Sequence, residues 1–146
     1  MKTWKWCSIL AAAPLIGLTA CSGQGSLDYQ MLVARLRASG ATVVTVSDGA
    51  EWPLSGSEQS LKVNGEEVEV YSYASQQAAN ADAAGIAPDG LTMVEGVAGG
   101  QETMTIAQAT PHFFKKGALI VYYGGNNSEV LSLLQAALGS QMAGAG

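Results

Sequence analysis

Apolar residues recur with helical spacing at two places in the chain. Residues 29, 32, 33 and 36 follow an i, i+3, i+4, i+7 pattern, and residues 130, 131, 134 and 138 form a second stripe. Ser26 is a plausible N-cap for the first stripe and Gly40 a plausible stop, while Asn127 or Ser128 can cap the second and Gly139 can end it. These patterns predict helices over 27–39 and 128–138.

Alternating polar and apolar residues predict a β-hairpin in the middle of the chain. The segment SLKVNGEEVEVYSY places Asn64-Gly65, a preferred two-residue type I′ turn, between two alternating runs. This turn sets Val63 opposite Glu66, Lys62 opposite Glu67, and Leu61 opposite Val68. In that register Leu61, Val63, Val68 and Val70 share one face, and Lys62 and Glu67 pair on the other.

The remaining segments complete the predicted element order. The β-branched run 41–47 and the alternating run 103–108 are typical of strands, and 75–85 is an alanine-rich helix with Ser75 as N-cap and Gly85 as stop. Residues 48–58 indicate a loop, and the glycine-containing segment 91–102 indicates a mobile connection. A second hairpin, with strands 112–115 and 118–123, turns through Lys115-Lys116-Gly117, and the tail 140–146 is expected to be disordered.

The element order is therefore α-β-ββ-α-β-ββ-α. Strand runs joined by tight hairpins, with few βαβ crossovers, favour an antiparallel sheet. We predict an α+β domain over 27–139, with a sheet of about five to six strands and helices packed on one face.

The N-terminus has the pattern of a secretory signal. Lys2 and Lys5 form a positive segment, and an apolar run of 13 residues follows over 6–18. A run of this length is too short for a bilayer-spanning helix, which needs about 20 residues, but it is typical of the core of a signal peptide.

The residues that follow, Leu18-Thr19-Ala20-Cys21, resemble a bacterial lipobox. The resemblance implies a lipoprotein signal peptide over 1–20, removal of that peptide, and acylation of Cys21 by chains such as palmitate. A thiol is nucleophilic enough to form the thioether, and two or more acyl chains give stable anchoring. The alternative is an ordinary secretory signal with a chance cysteine. On the lipobox interpretation, residues 21–26 are a lipidated cysteine with a short flexible spacer, and the protein lies in the bacterial cell envelope, facing outward.

Charge and cysteine content limit the classes of possible binding partner and of covalent cross-link. Beyond residue 21 the chain has five basic side chains against twelve acidic ones, a net charge of −7, which argues against nucleic acid and anionic membrane surfaces. Cys7 lies in the removed segment and Cys21 would be acylated, so the folded domain would have no thiol and no disulfide.

The sequence contains no assembled catalytic set. His112 is the only histidine, which excludes zinc sites built on several histidines or cysteines, and no G-x-S-x-G elbow is present. The glutamates 66, 67 and 69 flank a hairpin turn, where a solvated face is usual. We therefore predict no metal or other cofactor and no enzyme activity; a small hydrolase that uses His112 is the alternative.

Aromatic residues are the most distinctive feature of the second hairpin. In a strand, Phe113 and Phe114 point to opposite faces, as do Tyr122 and Tyr123. The face without helices would then be either partly covered by 91–102 or an exposed aromatic platform for a protein, peptide or glycan. The candidate platform residues are Phe113, Phe114, Tyr122, Tyr123, Tyr71 and Tyr73.

A second resemblance covers most of the body of the chain. The stretches VNGEEVEVYSYASQQAANADA and ATPHFFKKGALIVYYGGNNSEVLSLLQAALG resemble a group of small bacterial envelope lipoproteins of unknown function. It supplies no catalytic residues. The sequence favours a membrane-anchored, non-enzymatic binding or structural module. A further alternative is an inhibitor of a secreted enzyme, with 48–58 or 91–102 as a protruding loop.

Overall fold

Six antiparallel strands form the sheet on which the domain is built. The computed structural model describes residues 24–46, 54–97, 100–105 and 110–145. Within these residues the elements are α1 (Gln24–Ala38), β1 (Val43–Val46), β2 (Ser57–Val63), β3 (Glu66–Ser72), α2 (Gln76–Ala83), β4 (Thr92–Val97), β5 (Gly100–Thr105), β6 (His112–Lys116), β7 (Leu119–Tyr123), α3 (Ser128–Leu138) and β8 (Gln141–Gly144).

The strand order in the main sheet is β1-β2-β3-β7-β6-β8, and every neighbouring pair is antiparallel. Strands β4 and β5 pair with each other as a separate two-stranded ribbon, and Met93 of β4 also forms an antiparallel bridge with Ile86. The predicted α+β class with an antiparallel sheet is confirmed.

The first hairpin has the register that its sequence predicts. Val63 pairs with Glu66, and Leu61 pairs with Val68. The turn residues Asn64 and Gly65 have φ values of 51° and 89°, which match a type I′ turn. Lys62 lies opposite Glu67, and the apolar residues of the two strands are fully buried on the other face.

Two hydrophobic cores lie on opposite faces of the sheet. The first is formed under α1 and α3, where Leu36 and Leu134 meet strand residues such as Val70 and Val121. The second contains Ala79 of α2, and further members are Leu54, Tyr71, Tyr73, Ile86, Met93, Phe113, Ala118, Ile120, Tyr122 and Ala143. The helices were expected on one face. This holds for α1 and α3, whereas the short α2, whose alanines let it lie close to the sheet, covers the other.

The predicted start of α1 is wrong, because the helix begins at Gln24 rather than at residue 27. Ser26 is consequently inside the helix and does not cap it. The backbone N–H of Gly25 donates a 2.9 Å hydrogen bond to the carbonyl of Tyr73, and a Cβ at Gly25 would collide with that backbone. The part of the predicted flexible spacer that the structure describes, 24–26, is thus ordered helix docked on the end of β3.

Three predictions about irregular segments are also wrong. Residues 92–97 and 100–105 form the β4–β5 ribbon instead of a mobile connection, and β2 begins inside the predicted loop at Ser57. The predicted disordered tail contains β8, which pairs with β6 at the sheet edge. Residues 106–108 of the predicted strand 103–108, and 47–53 of the first strand and loop, lie outside the described residues.

The predicted helix caps are largely confirmed. The Ser75 side chain accepts a hydrogen bond from the backbone N–H of Ala78, and Asn127 accepts one from that of Glu129. Gly139 follows α3 with a φ of 102° and Gly40 follows α1 with a φ of 88°, so both adopt a positive φ that favours glycine where the helix ends. Helix α2 is capped by Ala84, one residue before the predicted stop.

Candidate functional site

The six candidate platform residues are buried. The side chains of Phe113, Phe114, Tyr122, Tyr123, Tyr71 and Tyr73 are each 5% exposed or less. The predicted alternation of faces is confirmed, since Phe114 and Tyr123 belong to the core under α1 and α3 and the other four belong to the core under α2. The expectation of an exposed aromatic platform is therefore wrong, because α2, Met93 and Ala143 contribute to the core that encloses the second face.

Burial also changes the acid–base behaviour of the tyrosines. Desolvation, with the nearby Glu69 carboxylate as a second cause, raises the pKa of Tyr122 to about 12. The same two causes, in the same order, raise the pKa of Tyr71, whose hydroxyl donates a 3.0 Å hydrogen bond to Glu69 Oε2. These phenols stay protonated near neutral pH, and the Tyr71 hydroxyl acts as a hydrogen-bond donor inside the second core.

His112 is buried at the sheet edge and bonds to an amide. Its ring is 6% exposed, stacks on Tyr123 with ring centroids 6.2 Å apart, and has Nδ1 2.8 Å from Oε1 of Gln141 in β8. A catalytic histidine is usually oriented by a carboxylate and faces a pocket. The recorded partner of this imidazole is instead the neutral amide of an adjacent strand, an arrangement typical of a structural histidine.

Asp82 of α2 organises a polar network at the margin of the second core. Its Oδ2 accepts hydrogen bonds from the Tyr73 hydroxyl at 2.9 Å, the Ser55 backbone N–H at 2.7 Å and the Ser55 hydroxyl at 2.9 Å. All three donors serve one carboxylate oxygen, so this carboxylate joins α2, the end of β3 and the segment before β2.

A cleft of about 390 Å³ opens between the first turns of α1 and the outer ends of β2 and β3. Its volume falls in the range of ordinary ligand sites, about 300–1,000 Å³. We call it the α1 cleft, and the residues that line it are Ser26, Tyr29, Gln30, Ser57, Gln59, Ser72, Tyr73 and Ala74.

The described residues that line the α1 cleft include no charged side chain, and most of them carry a hydroxyl or an amide group. Gln30 and Gln59 are exposed and can turn their amides toward a ligand, while the half-buried Tyr29 ring offers an apolar surface. The hydroxyl oxygen of Ser72 is buried and has no hydrogen-bond partner among the described residues. An unsatisfied buried hydroxyl is uncommon in a folded protein, and a bound hydrogen-bonding group would satisfy it.

Sequence reasoning missed the α1 cleft because no local motif marks it. Its residues come from the first turns of α1, from β2 and from the end of β3, which are separated along the chain. Serine and glutamine at strand ends are typical of solvated positions. The one available signal was the alternation in SEQSLKV, which puts Ser57 and Gln59 on the same strand face as the buried Leu61.

The candidate anchor, Cys21, lies outside the described residues. No helix in the described part of the chain is long and apolar enough to cross a lipid bilayer. Within the described ranges, no group of three or more histidine, cysteine, aspartate or glutamate side chains converges to hold a metal ion.

Comparison of the chain with protein families, with curated proteins and with solved structures gives no match.

Proposed function

We propose that this protein is a lipid-anchored lipoprotein of the bacterial cell envelope whose domain binds an uncharged, hydroxyl-rich ligand, such as a glycan, in the α1 cleft. The observation that carries the binding role is the α1 cleft itself, which is open, is lined by uncharged residues that include four serine and glutamine side chains at 26, 30, 57 and 59, and holds the unsatisfied Ser72 hydroxyl. The anchoring rests on the lipobox and on the position of the first helix.

The proposed lipid attachment site, Cys21, is close in sequence to the first described helix. Helix α1 is described from Gln24, three residues after Cys21 in the sequence. A domain tethered in this way would remain next to the membrane surface. Ser26 and Tyr29, on the first turns of the same helix, line the α1 cleft. A ligand in the cleft would therefore bind close to the membrane surface.

The chemistry of the α1 cleft favours a sugar over an ion. Amide and hydroxyl groups both donate and accept hydrogen bonds, as sugar hydroxyls do, and the Tyr29 ring can pack against the apolar face of a pyranose. A carboxylate or ammonium group would lose its hydration in the cleft without meeting an opposite charge. Each polar group left unsatisfied costs about 1–3 kcal/mol, so burying such an ion would cost several kcal/mol.

The proposed role is non-enzymatic. The hydrolase alternative required His112 in a concave pocket and bonded to an aspartate or glutamate, and its recorded hydrogen bond goes to Gln141 instead. The inhibitor alternative required a protruding loop in 48–58 or 91–102. The second of these segments forms most of the β4–β5 ribbon, which gives this alternative a structural basis but no identified target.

Binding can be tested by calorimetric titration of the acylated protein, in detergent micelles, with oligosaccharides of N-acetylglucosamine. Gln59→Ala should lower the affinity by about 5–10-fold, the equivalent of one lost hydrogen bond. Gln135→Ala is a matched control, because it removes the same amide from an exposed position on α3, away from the α1 cleft. Ser72→Ala should also weaken binding while leaving the thermal midpoint unchanged, because its hydroxyl has no partner to lose.

Three outcomes would count against the proposal. Equal affinity losses for Gln59→Ala and Gln135→Ala would place the ligand elsewhere on the domain. Binding of a neutral peptide in preference to every oligosaccharide would replace the ligand class. Anchoring is tested separately with Cys21→Ser. The variant should lack the mass that acyl chains add to the protein, and it should move from the membrane to the soluble fraction. A variant still found in the membrane would refute the anchor.

A further inference from the structure

Helix α1 carries a second apolar stripe on the side that faces solvent. Leu27 and Met31 are 53% and 51% exposed, and the exposed alanines 34 and 38 continue the line at i+7 and i+11. Leu32 and Leu36, which enter the core, lie on the opposite side of the helix. The helix is therefore apolar on two sides, although a surface helix normally needs only one apolar side to fold.

The start of the helix is fixed to the body, so this stripe cannot turn away. The Gly25 N–H binds the Tyr73 carbonyl, and the Asp28 carboxylate accepts a hydrogen bond from the Ala118 backbone N–H. An extended chain spans about 3.5 Å per residue, so the Cα of Cys21 lies within about 11 Å of the Cα of Gln24. Leu27 and Met31, on the next two turns, are then the exposed large apolar side chains nearest to the candidate anchor along the described chain.

The charges around the stripe are compatible with lipid headgroups. The first turn of α1 contains no acidic residue, the carboxylate of Asp28 in the second turn is engaged with Ala118, and the last turn contains Arg35 and Arg37. Both arginines are exposed, although each donates one hydrogen bond to a backbone carbonyl. The acidic character of the chain as a whole is thus absent from this side of the helix.

We propose that the Leu27–Met31 stripe of α1 lies in the lipid–water boundary of the membrane that holds the anchor. The inference rests on the proposed lipid attachment at Cys21, which delivers the stripe to that boundary. Leu27 and Met31 would pack among the upper acyl segments, and Arg35 and Arg37 would approach lipid phosphates. The domain then has a fixed orientation, with the α1 cleft on the flank of a membrane-bound helix.

A lipid surface fits this stripe better than a second copy of the chain. A stable protein interface buries about 800 Å² on each partner, and two large side chains with two alanines supply much less. A tethered domain needs little additional free energy to settle on the surface, because the anchor already keeps its local concentration high.

The test uses the full-length, acylated protein in phosphatidylcholine vesicles that contain a nitroxide-labelled lipid. Met31→Cys is labelled with an environment-sensitive fluorophore, and the acylated Cys21 offers no competing thiol. Val44→Cys is the matched control: Val44 is equally exposed at 53% but lies on the sheet face opposite α1. We expect quenching at position 31 to exceed that at position 44 by at least about twofold, and Leu27→Glu in the labelled protein to remove the difference.

Equal quenching at the two positions, or none at position 31, would overturn the stripe as a lipid contact. A blue-shifted label at position 31 without nitroxide quenching would show a protein contact in its place and would also overturn the proposal. Failure of the anchor gives a different result, because the protein would lack the acyl mass and would not float with the vesicles. An acylated, floating protein with an unquenched label therefore rejects the stripe alone.

Discussion

The Asp28 carboxylate lies 2.8 Å from the backbone nitrogen of Ala118, from which it accepts a hydrogen bond. This contact joins the second turn of α1 to the turn between β6 and β7, across a sequence separation of 90 residues. Gly117 lies beside it with a φ of 56°, and a Cβ at that position would collide with the carboxylate. The start of the described chain and its second hairpin are therefore held together by one acidic side chain and one glycine.

Replacing Asp28 should destabilise the fold by an amount that chemical denaturation can measure. We expect Asp28→Ala to lower the free energy of unfolding by about 1–3 kcal/mol, because it leaves the part-buried Ala118 N–H without an acceptor. Asp28→Asn keeps an oxygen acceptor and should cost less. Glu67→Ala, at an exposed strand position, is the control and should stay within about 0.5 kcal/mol of wild type. An Asp28→Ala variant as stable as this control would show that the contact contributes nothing.

Gly117→Ala should be destabilising for a reason that depends on Asp28. The left-handed backbone conformation costs a non-glycine residue about 1–2 kcal/mol, and the added methyl group meets the Asp28 carboxylate. In the Asp28→Ala background the second cost disappears, so the double variant should lose less stability than the sum of the two single variants. A double-mutant cycle of urea midpoints measures the difference, and strict additivity would rule out the steric part of the argument.

The Asp82 network predicts that replacing Asp82 destabilises the fold more than replacing its partner Tyr73. Asp82→Ala removes the acceptor for three hydrogen bonds, including the one from the Tyr73 hydroxyl, so we expect a loss of about 2–4 kcal/mol. Tyr73→Phe removes one donor and should cost only about 1 kcal/mol. The losses in unfolding free energy of the two variants, measured under the same conditions, should therefore differ by at least about twofold. A larger loss for Tyr73→Phe would mean that the carboxylate is not the centre of the network.

The C-terminal strand should be essential to the sheet, in contrast to a disordered tail. β8 pairs with β6, Ala143 is buried in the second core, and a Cβ at Gly144 would collide with the Pro111 carbonyl. Deletion of 140–146 should therefore lower the thermal midpoint by several degrees or prevent folding, since even about 1 kcal/mol shifts it by about 3–5 °C at this size. Gly144→Ala should lower it as well. An unchanged midpoint after the deletion would contradict the pairing.

The parts of the fold that the sequence predicted are those encoded by local patterns. Asn64-Gly65 specifies its own turn type, so it also specifies the register of β2 against β3, and Asn127 and Gly139 mark the ends of α3 by capping chemistry. β8 could not be predicted, because QMAG is unremarkable alone and becomes a strand only when β6 offers a free edge. The burial of Tyr71 and Phe113 likewise depends on α2 crossing to the second face. The α1 cleft is the least local feature, because it exists only where Ser26 and Ser72 are brought together by the docking of α1.

The buried tyrosines predict a loss of stability at alkaline pH. Burial is the largest cause of the raised pKa of Tyr71, Tyr73, Tyr122 and Tyr123, and nearby carboxylates add to it. In the unfolded chain these phenols ionise near pH 10, whereas in the folded protein the pKa of Tyr122 is about 12. Because the folded values lie above the unfolded ones, the contribution to stability is fully present below pH 10 and is lost as the pH rises toward the folded values. As far as these groups are concerned, the free energy of unfolding should therefore stay constant between pH 7 and about pH 9 and should fall steeply above about pH 10.

Tyrosinate absorbance and circular dichroism, recorded on the same samples, should show tyrosine ionisation and unfolding occurring together. Tyr122→Phe should make the loss of stability at alkaline pH less steep. Tyrosinate formation near pH 10 while the native circular dichroism persists would contradict the burial of these side chains.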